Sequence, residues 1–197
     1  MELQEAILSR RSTRAFTDAP VDDETLRMIL EAGRYAPSGG NSQTTHFLAV
    51  RDRAVLDELA ALVRSEFARM EITEGMYKSL ANAIRASKSD SCIFHYNAPA
   101  LIITANRIGY GNSLADCACA LQNMMLMANA LDMGSCWINQ LRWLNENENI
   151  CAFLRSLGMA QNEAPFGAMS LGHPRTPDGL PVRTPLPRTG NAVTYIG

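Results

Sequence analysis

The sequence predicts one domain in which helices and short strands are mixed. The chain has 197 residues, 47% hydrophobic and 19% charged, which is enough apolar material for one core and argues against disorder. Some segments repeat apolar residues with helical spacing, whereas Ala100 to Ala105 is a short, continuously apolar run of the kind found in buried strands.

The first half of the chain has clear helix and strand signals. The apolar spacing, acidic caps and Gly-Pro breaks predict these elements in order: a helix at 2–10, a helix opened by Asp22 that stops before Pro37, a polar loop at 38–42, a strand at 46–50, and a helix capped by Asp52 that runs to about Arg69. Residues 70–95 are weakly helical, which fits either a surface helix pair or a lid over a site.

The second half of the sequence indicates a long helix with strands before and after it. Its expected elements are a strand at 100–105, a helix capped by Ser113 that ends near Asp132, a strand at 135–138, a helix at 145–157 and a strand at 166–171. The long helix is apolar almost all the way round, so it is either central or covered by a partner subunit.

The last residues predict an extended arm. Five prolines between Pro174 and Pro187 stiffen residues 175–189, and Ala192 to Ile196 has the composition of a strand. An arm with an apolar tip can reach a second subunit and add a strand to its sheet.

Composition and charge exclude several classes of function. The net charge of −2 argues against general nucleic-acid binding, and no apolar run approaches the roughly 20 residues that span a bilayer. We see no signal peptide, and the five cysteines have no disulfide or zinc spacing, so we expect a cytoplasmic protein with no metal site and no membrane partner.

The basic residues are unusual because 16 of the 18 are arginine. Arg10, Arg11 and Arg14 lie within five residues, next to the hydroxyl of Ser12. Guanidinium groups and hydroxyls together suit the oxygens of a phosphate ester. From this segment alone, a solvated basic patch remains the alternative.

A glycine-containing loop at 37–43 is a second candidate site. Glycines allow the backbone to approach a ligand closely, and Asn41 and Gln43 offer both donors and acceptors to a heterocycle. The loop lacks the P-loop pattern, and no G-x-G-x-x-G follows a strand. A simple turn from helix to strand is the alternative.

Five segments in order resemble the FMN-dependent nitroreductase family. They cover most of the chain outside residues 52–95 and are, in order, Arg10 to Phe16 with Pro20-Val21 and Ile29 to Gly33; Ala36 to Gln43 with Phe47; Asn97 to Ile103; Asp116, Gln122 to Met124 and Gly134 to Gln140; and Leu171 to Pro174 with Pro187-Arg188 and Val193 to Tyr195. Each segment is weak evidence alone, but five in the family's order are specific.

The resemblance implies an α+β fold with a central antiparallel sheet wrapped by helices. It implies a single domain over 1–197, with a variable helical excursion at 52–95 and an extended arm at 175–197. It also implies an intertwined homodimer that holds FMN at the subunit interface and exchanges C-terminal strands.

The same resemblance assigns FMN contacts and no catalytic side chain. It places one group near the phosphate and the polar edge of the flavin, namely Arg10, Arg11, Ser12, Arg14 and Arg188, with Arg183 as an alternative to Arg188. It places the loop residues Pro37, Ser38, Gly39, Asn41 and Gln43 against the ribityl chain and ring, usually from the partner subunit, and the backbone of Ile138 and Asn139 against the reactive face.

The implied activity is hydride transfer from NADH or NADPH to a small-molecule acceptor by a ping-pong mechanism. Nitroaromatics, quinones and flavins are the expected acceptors. A flavin-delivery protein with little NAD(P)H turnover, or a flavin-dependent dehydrogenase of a biosynthetic intermediate, are the alternatives. Thr44-Thr45 stands where many relatives have Pro-Trp, which leaves the acceptor open.

Overall fold

The computed structural model describes residues 1–89 and 91–197. The helices are α1 (Leu3–Ser9), α2 (Asp23–Arg34), α3 (Arg53–Ala68), α4 (Lys78–Ser87), α5 (Ser113–Ala130), α6 (Gln140–Trp143) and α7 (Glu148–Ser156). The strands are β1 (His46–Val50), β2 (Ala100–Arg107), β3 (Gly134–Ile138) and β4 (Glu163–Gly172), and a short 3-10 turn spans Gly39–Asn41.

The four strands form one antiparallel sheet in the order β1-β2-β4-β3. The long central pair, β2 and β4, is continuous except for an irregularity between Thr104 and Ala105. The predicted α+β fold with a central antiparallel sheet and surrounding helices is therefore confirmed.

Both faces of the sheet are covered, which explains why the first part of β2, from Ala100 to Ile103, is apolar. Leu101 and Ile103 pack into a core with α3 and α7, whereas Ala100 and Ile102 pack into a second core with α2 and α5. Successive strand residues point to opposite faces, so a strand between two helical layers needs apolar residues at every position.

Side-chain caps fix two of the helix starts that the sequence predicted. The Asp22 carboxylate accepts from Thr25 N at 2.8 Å, and the Asp52 carboxylate accepts from Val55 N at 3.1 Å. The predicted Ser113 cap is wrong, because Asn112 occupies the cap position of α5 and Ser113 Oγ instead donates to Arg107 O at 2.7 Å.

Two segments differ from the sequence prediction. The helix expected at 145–157 is α7, which begins three residues later than predicted because Asn147 caps it by accepting from Ile150 N; the short helix α6 before it was not predicted. The described residues of the weakly helical region at 70–95 contain one helix, α4.

The C-terminal arm has no helix or paired strand from residue 175 onward in the described chain. Arg183 fixes its first part to the end of α5 by donating to Asn129 O at 2.6 Å and to Asp132 Oδ1. The tip, expected to be strand-like, is unpaired in the single chain, and Tyr195 and Ile196 are 93% and 95% exposed.

Among the residues that the structure describes, no helix has both the length and the apolar character that crossing a bilayer requires. The same residues do not bring together three histidine, cysteine or carboxylate side chains that could hold a metal ion.

Candidate active site

The arginine-rich segment after α1 is fixed to the outer edge of β3. Ser12 pairs with Ser135 as a parallel bridge, and Thr13 N donates to Ser135 O at 2.9 Å. Further along, Thr17 N donates to His173 O, beyond the end of β4. The backbone between Arg10 and Thr17 is thus held in place by the sheet.

Three guanidinium groups come together here. Burial and the neighbouring guanidiniums of Arg11 and Arg188 lower the pKa of Arg10, so Arg188 reaches this segment from the C-terminal arm. Arg11 donates from Nε to Thr184 O at 2.7 Å and from Nη1 to Arg10 O at 2.6 Å, while its Nη2 is buried with no hydrogen-bond partner in the described chain.

Within residues 1–89 and 91–197, none of these three arginines forms an ion pair with a carboxylate. Like charges held together destabilise one another unless an anion neutralises them. The cluster is therefore suited to a ligand anion such as a phosphate, and the solvated-patch alternative does not account for the buried Arg11 nitrogen.

Arg183, the alternative to Arg188, is engaged elsewhere. Its contacts with Asn129 and Asp132 join the arm to the C-terminal end of α5. The geometry therefore favours Arg188 as the C-terminal member of the cluster.

A cavity of ≈ 540 Å³ lies between α3, α4 and the end of β3. Arg14 and Asn139, two of the predicted site residues, line it, and its aromatic wall consists of Phe67, Phe94, Tyr96, Trp137 and Trp143. No aspartate or glutamate is among the described residues that line the cavity. It can thus accept a flat ring that is neutral or negatively charged.

The two residues at the end of β3 play different parts. The Ile138 side chain is buried in the core with α3 and α7, so only its backbone is available to a ligand. Asn139 Oδ1 accepts from Trp137 Nε1 at 2.8 Å, which fixes the amide at the cavity.

The second predicted group, the loop at 37–43, is held by residues at the start of α5. Gly39 N donates to Asp116 Oδ1 at 3.1 Å, and the Tyr110 hydroxyl donates to Gly39 O at 3.0 Å. A Cβ atom at Gly39 would overlap the side chains of Tyr110 and Asn112, so any larger residue would force these side chains or the loop to move.

The tip of the loop presents polar side chains. Gly40, Asn41 and Gln43 have left-handed φ values of 58°, 55° and 50°, and Gln43 Nε2 donates to Asn41 Oδ1 at 3.1 Å. Pro37, Ser38 and Gln43 line a smaller cavity of ≈ 160 Å³ beside Asp116. The loop is thus a shaped surface rather than a simple turn.

The structure does not bring the two groups together within one chain. The loop contacts Asp116, and the α1 end contacts Asn129, whose Nδ2 donates to Ser9 Oγ at 3.0 Å. Asp116 and Asn129 are thirteen residues apart on α5, which is about 20 Å. The loop also directly precedes β1, whereas the arginine segment pairs with β3. Because β1 and β3 are the two edges of the sheet, three strand spacings separate them, which is about 14 Å.

Several residues of the site were not predicted from the sequence. Tyr96, Trp137 and Trp143 line the large cavity, and Tyr110 and Asp116 hold the loop. Their roles depend on contacts between distant parts of the chain. The signals in the sequence were the family segments that contain Asp116 and Trp137 and the aromatic residues before Asn97-Ala-Pro.

Comparison with known proteins agrees with the fold described above. The model of the nitroreductase family matches residues 7–173. A nitroreductase with bound FMN from Bacteroides fragilis NCTC 9343 is 34% identical, covers 100% of both chains and superposes with a TM-score of 0.86.

Two curated relatives extend this similarity. A protein of Archaeoglobus fulgidus, provisionally named NADH dehydrogenase/NAD(P)H nitroreductase, is 30% identical over 174 residues, which is 88% of this chain and 86% of the relative. The NADPH-dependent FMN reductase of Bacillus subtilis is 25% identical over 192 residues, or 97% of this chain and 73% of the relative. The chain belongs to the nitroreductase family, and the resemblance stated from its motifs is confirmed.

Proposed function

We propose that this protein is an FMN-dependent oxidoreductase that takes hydride from NAD(P)H. The observation that carries the proposal is the cluster of Arg10, Arg11 and Arg188, which forms no ion pair with a carboxylate in the described chain. Arg10 and Arg11 are on the same segment as Arg14, which lines the aromatic cavity. The relatives named as NADPH-dependent FMN reductase and FMN-bound nitroreductase support it.

The residues present fit FMN at both of its ends. Arg10, Arg11 and Arg188, with the Ser12 hydroxyl, would hold the phosphate, since guanidiniums bind phosphate oxygens in pairs. Arg14 would donate to the polar edge of the ring, and the backbone at Ile138 and Asn139 would face it. When bound, FMN supplies hydride acceptance and donation, chemistry that no side chain offers.

We further propose that each site is completed by the second subunit of a homodimer. The loop residues Pro37, Ser38, Gly39, Asn41 and Gln43 are too far from the arginine cluster in one chain to hold the same ligand. A partner chain supplies them if the dimer places its loop over the cavity.

Two exposed features support dimer formation. Leu114 is 39% exposed on α5, and the polypeptide tip at 192–196 is exposed and apolar. The sheet has two edge strands, β1 and β3. In the described chain the outer edge of β1 is unpaired, whereas residues 12–13 already pair with the outer edge of β3. We propose that the arm of one subunit adds a strand at the β1 edge of the other, since an unpaired edge readily accepts a strand.

The chain's own contribution to catalysis is to bind and orient. The described cavity lining contains no carboxylate or histidine, so it offers no strong base, and the reaction depends on stacking, orientation and fixed positive charge. Donor and acceptor would occupy this cavity in turn, which gives ping-pong kinetics. Nitroaromatics, quinones and free flavins are the proposed acceptors, because each is a flat ring system that fits the aromatic wall.

Purification in the presence of FMN tests the proposal. A yellow protein with bound FMN, whose flavin absorbance is bleached rapidly on anaerobic mixing with NADH or NADPH, is the expected result. A protein that takes up no FMN contradicts the proposal outright. Retained FMN without reduction by either nucleotide points to flavin delivery instead of catalysis.

A further inference from the structure

The Tyr96 side chain lies against Arg14 at the rim of the large cavity. The guanidinium carbon of Arg14 is 5.9 Å from the centroid of the Tyr96 ring, and both side chains line the cavity. A guanidinium over an aromatic ring is attracted by the negative face of the ring. Hydrogen bonding to the Tyr96 side chain is also the main reason that the pKa of Arg14 is raised, against the opposing effect of burial.

Tyr96 is held in an unusual backbone conformation. Tyr96 and Asn97 have consecutive left-handed φ values of 59° and 55°, which large side chains rarely adopt. Such residues persist only where the surrounding structure determines them, and they cluster at ligand sites.

Several buried contacts fix this turn at the start of β2. Tyr96 N donates to Ile93 O at 3.0 Å, and Ala98 N donates to His95 O at 3.2 Å. The same His95 carbonyl accepts from Ser170 Oγ of β4 at 2.9 Å. Because this turn is anchored to the central strands, the Tyr96 side chain is a rigid neighbour for Arg14.

Among the described residues, no hydrogen bond or ion pair to a side chain other than Tyr96 orients Arg14. In the described chain it forms no ion pair with a carboxylate, and its side chain is exposed. A long, flexible side chain at the rim of a cavity loses conformational entropy when it binds a ligand. Contact with a fixed aromatic ring removes part of that cost before the ligand arrives.

We propose that Tyr96 is a positioning residue that holds the Arg14 guanidinium at the rim of the cavity, in place for the polar edge of FMN. The inference rests on the proposed function, because it assigns Arg14 to that ligand. In this role the Tyr96 hydroxyl would accept from the guanidinium, which can only donate, and the ring would support it from one side.

The test compares Tyr96→Phe, Arg14→Gln and the double variant with wild type. Tyr77→Phe is the matched control, since Tyr77 is 64% exposed and its ring contacts Trp143 rather than an arginine. The readouts are the Kd for FMN, from quenching of flavin fluorescence, and the two-electron midpoint potential of the bound flavin. Thermal unfolding of each FMN-free variant checks that the fold is retained.

Tyr96→Phe should bind FMN about fivefold more weakly, the effect expected for one net hydrogen bond. A positive charge at the polar edge favours the reduced flavin. If Tyr96→Phe weakens the binding of reduced FMN fivefold more than that of oxidised FMN, the midpoint potential of the bound flavin falls by about 20 mV, at 30 mV per tenfold difference in affinity. In the Arg14→Gln background, Tyr96→Phe should have no further effect on either quantity, and Tyr77→Phe should match wild type.

A measurement without FMN keeps the inference testable if Arg14→Gln fails to bind the cofactor. The ¹⁵Nε resonance of Arg14, assigned by its loss in Arg14→Gln, should shift in Tyr96→Phe and stay in place in Tyr77→Phe. The inference is overturned if Tyr96→Phe matches wild type in Kd and potential, or if its effect persists undiminished without Arg14. Failure of wild type to bind FMN overturns the proposed function instead.

Discussion

Arg10 and Arg188 approach one another from opposite ends of the chain, and within the described residues neither forms an ion pair with a carboxylate. Arg11 adds a third guanidinium whose Nη2 is buried and unpartnered. A phosphate would supply both the neutralising charge and the missing hydrogen-bond acceptor. The proposed role of this cluster is therefore to bind a ligand anion rather than to stabilise the free chain.

Replacing Arg10 or Arg188 by Ala should weaken FMN binding. A hydrogen bond to a charged group contributes about 1.5–3 kcal/mol, so we expect Kd to rise about tenfold to 150-fold for each variant. Isothermal titration with FMN measures the change. Arg51→Ala is the matched control, because Arg51 is exposed and pairs with Asp23 of α2, and it should leave Kd unchanged.

His95 gives the protein a pH-dependent stability. Its ring is fully buried, and among the residues that the structure describes neither ring nitrogen has a hydrogen-bond partner; burial, together with the nearby Arg53 charge, lowers its pKa to about 4 from 6.5. Since the folded pKa is below the unfolded one, the unfolded chain binds more protons between these values. Stability is therefore lost as pH falls from 6.5 through 4.

The decrease in unfolding free energy caused by His95 should reach roughly 3 kcal/mol by pH 4, because each unit of pKa shift corresponds to about 1.36 kcal/mol. Urea unfolding of wild type and His95→Gln between pH 4 and pH 8 isolates it, because glutamine does not titrate. The difference in unfolding free energy between the two proteins should change with pH across this window. A constant difference contradicts the prediction.

Helix α5 is the element that organises the site. Its first turn holds the glycine loop through Asp116, and its last turn holds α1 and the arm through Asn129. The Asp116 carboxylate near the positive end of α5 is favourably placed, and it satisfies Gly39 N.

Replacing Asp116 by Ala should release the loop. Losing the buried acceptor leaves Gly39 N unpaired, and we expect unfolding free energy to fall by about 1–2 kcal/mol. Hydrogen exchange over residues 38–43 should become faster. Gln122→Ala, an exposed change on the same helix, is the control and should leave exchange in the loop unaltered.

Elements that depend on neighbouring residues could be predicted from the sequence, whereas contacts between distant segments could not. The bounds of β1 were predicted without error, and Asp22 and Asp52 were recognised as caps, because strand composition and capping are local properties. Ser113 was misassigned because Asn112 and Ser113 are both possible caps and the fold uses the Ser113 hydroxyl for Arg107 O. The pairing of Arg14 with Tyr96 had no local signal, since the sheet joins segments that are far apart in sequence.

At the scale of the whole molecule, the described single chain leaves apolar groups uncovered. Tyr195 and Ile196 are almost fully exposed, and the outer edge of β1 is open. In the proposed dimer, a second subunit would cover the arm and bring the loop to the arginine cluster. The sequence resemblance implied this homodimer, but the residues alone could not place the loop and the arginine cluster at opposite ends of α5.

Deleting residues 190–197 should weaken the dimer while keeping Arg188. The deletion removes the exposed apolar tip, whose burial against a partner stabilises the assembly in proportion to the apolar area covered. Sedimentation over a range of concentrations should show at least about a tenfold increase in the dimer dissociation constant, equal to 1.4 kcal/mol. Thr194→Ala, a polar change within the tip, is the control and should have little effect.

A mixed dimer tests the two-subunit site most directly. One subunit carries Arg10→Ala and Arg188→Ala with an intact loop, and the other carries Gly39→Val, whose side chain displaces the loop from Tyr110 and Asn112. The two are coexpressed with different affinity tags, and the heterodimer is isolated through both. Each parent homodimer has a defect in both of its sites and should hold little FMN.

In the heterodimer, a site shared between subunits puts both defects into one site and leaves the other intact. We therefore expect about one FMN per heterodimer, measured by absorbance after removal of free flavin, against little or none in either parent homodimer. A heterodimer that binds no more FMN than its parents would contradict the account, because it would mean that the arginine cluster and the loop do not form a site across the subunit interface.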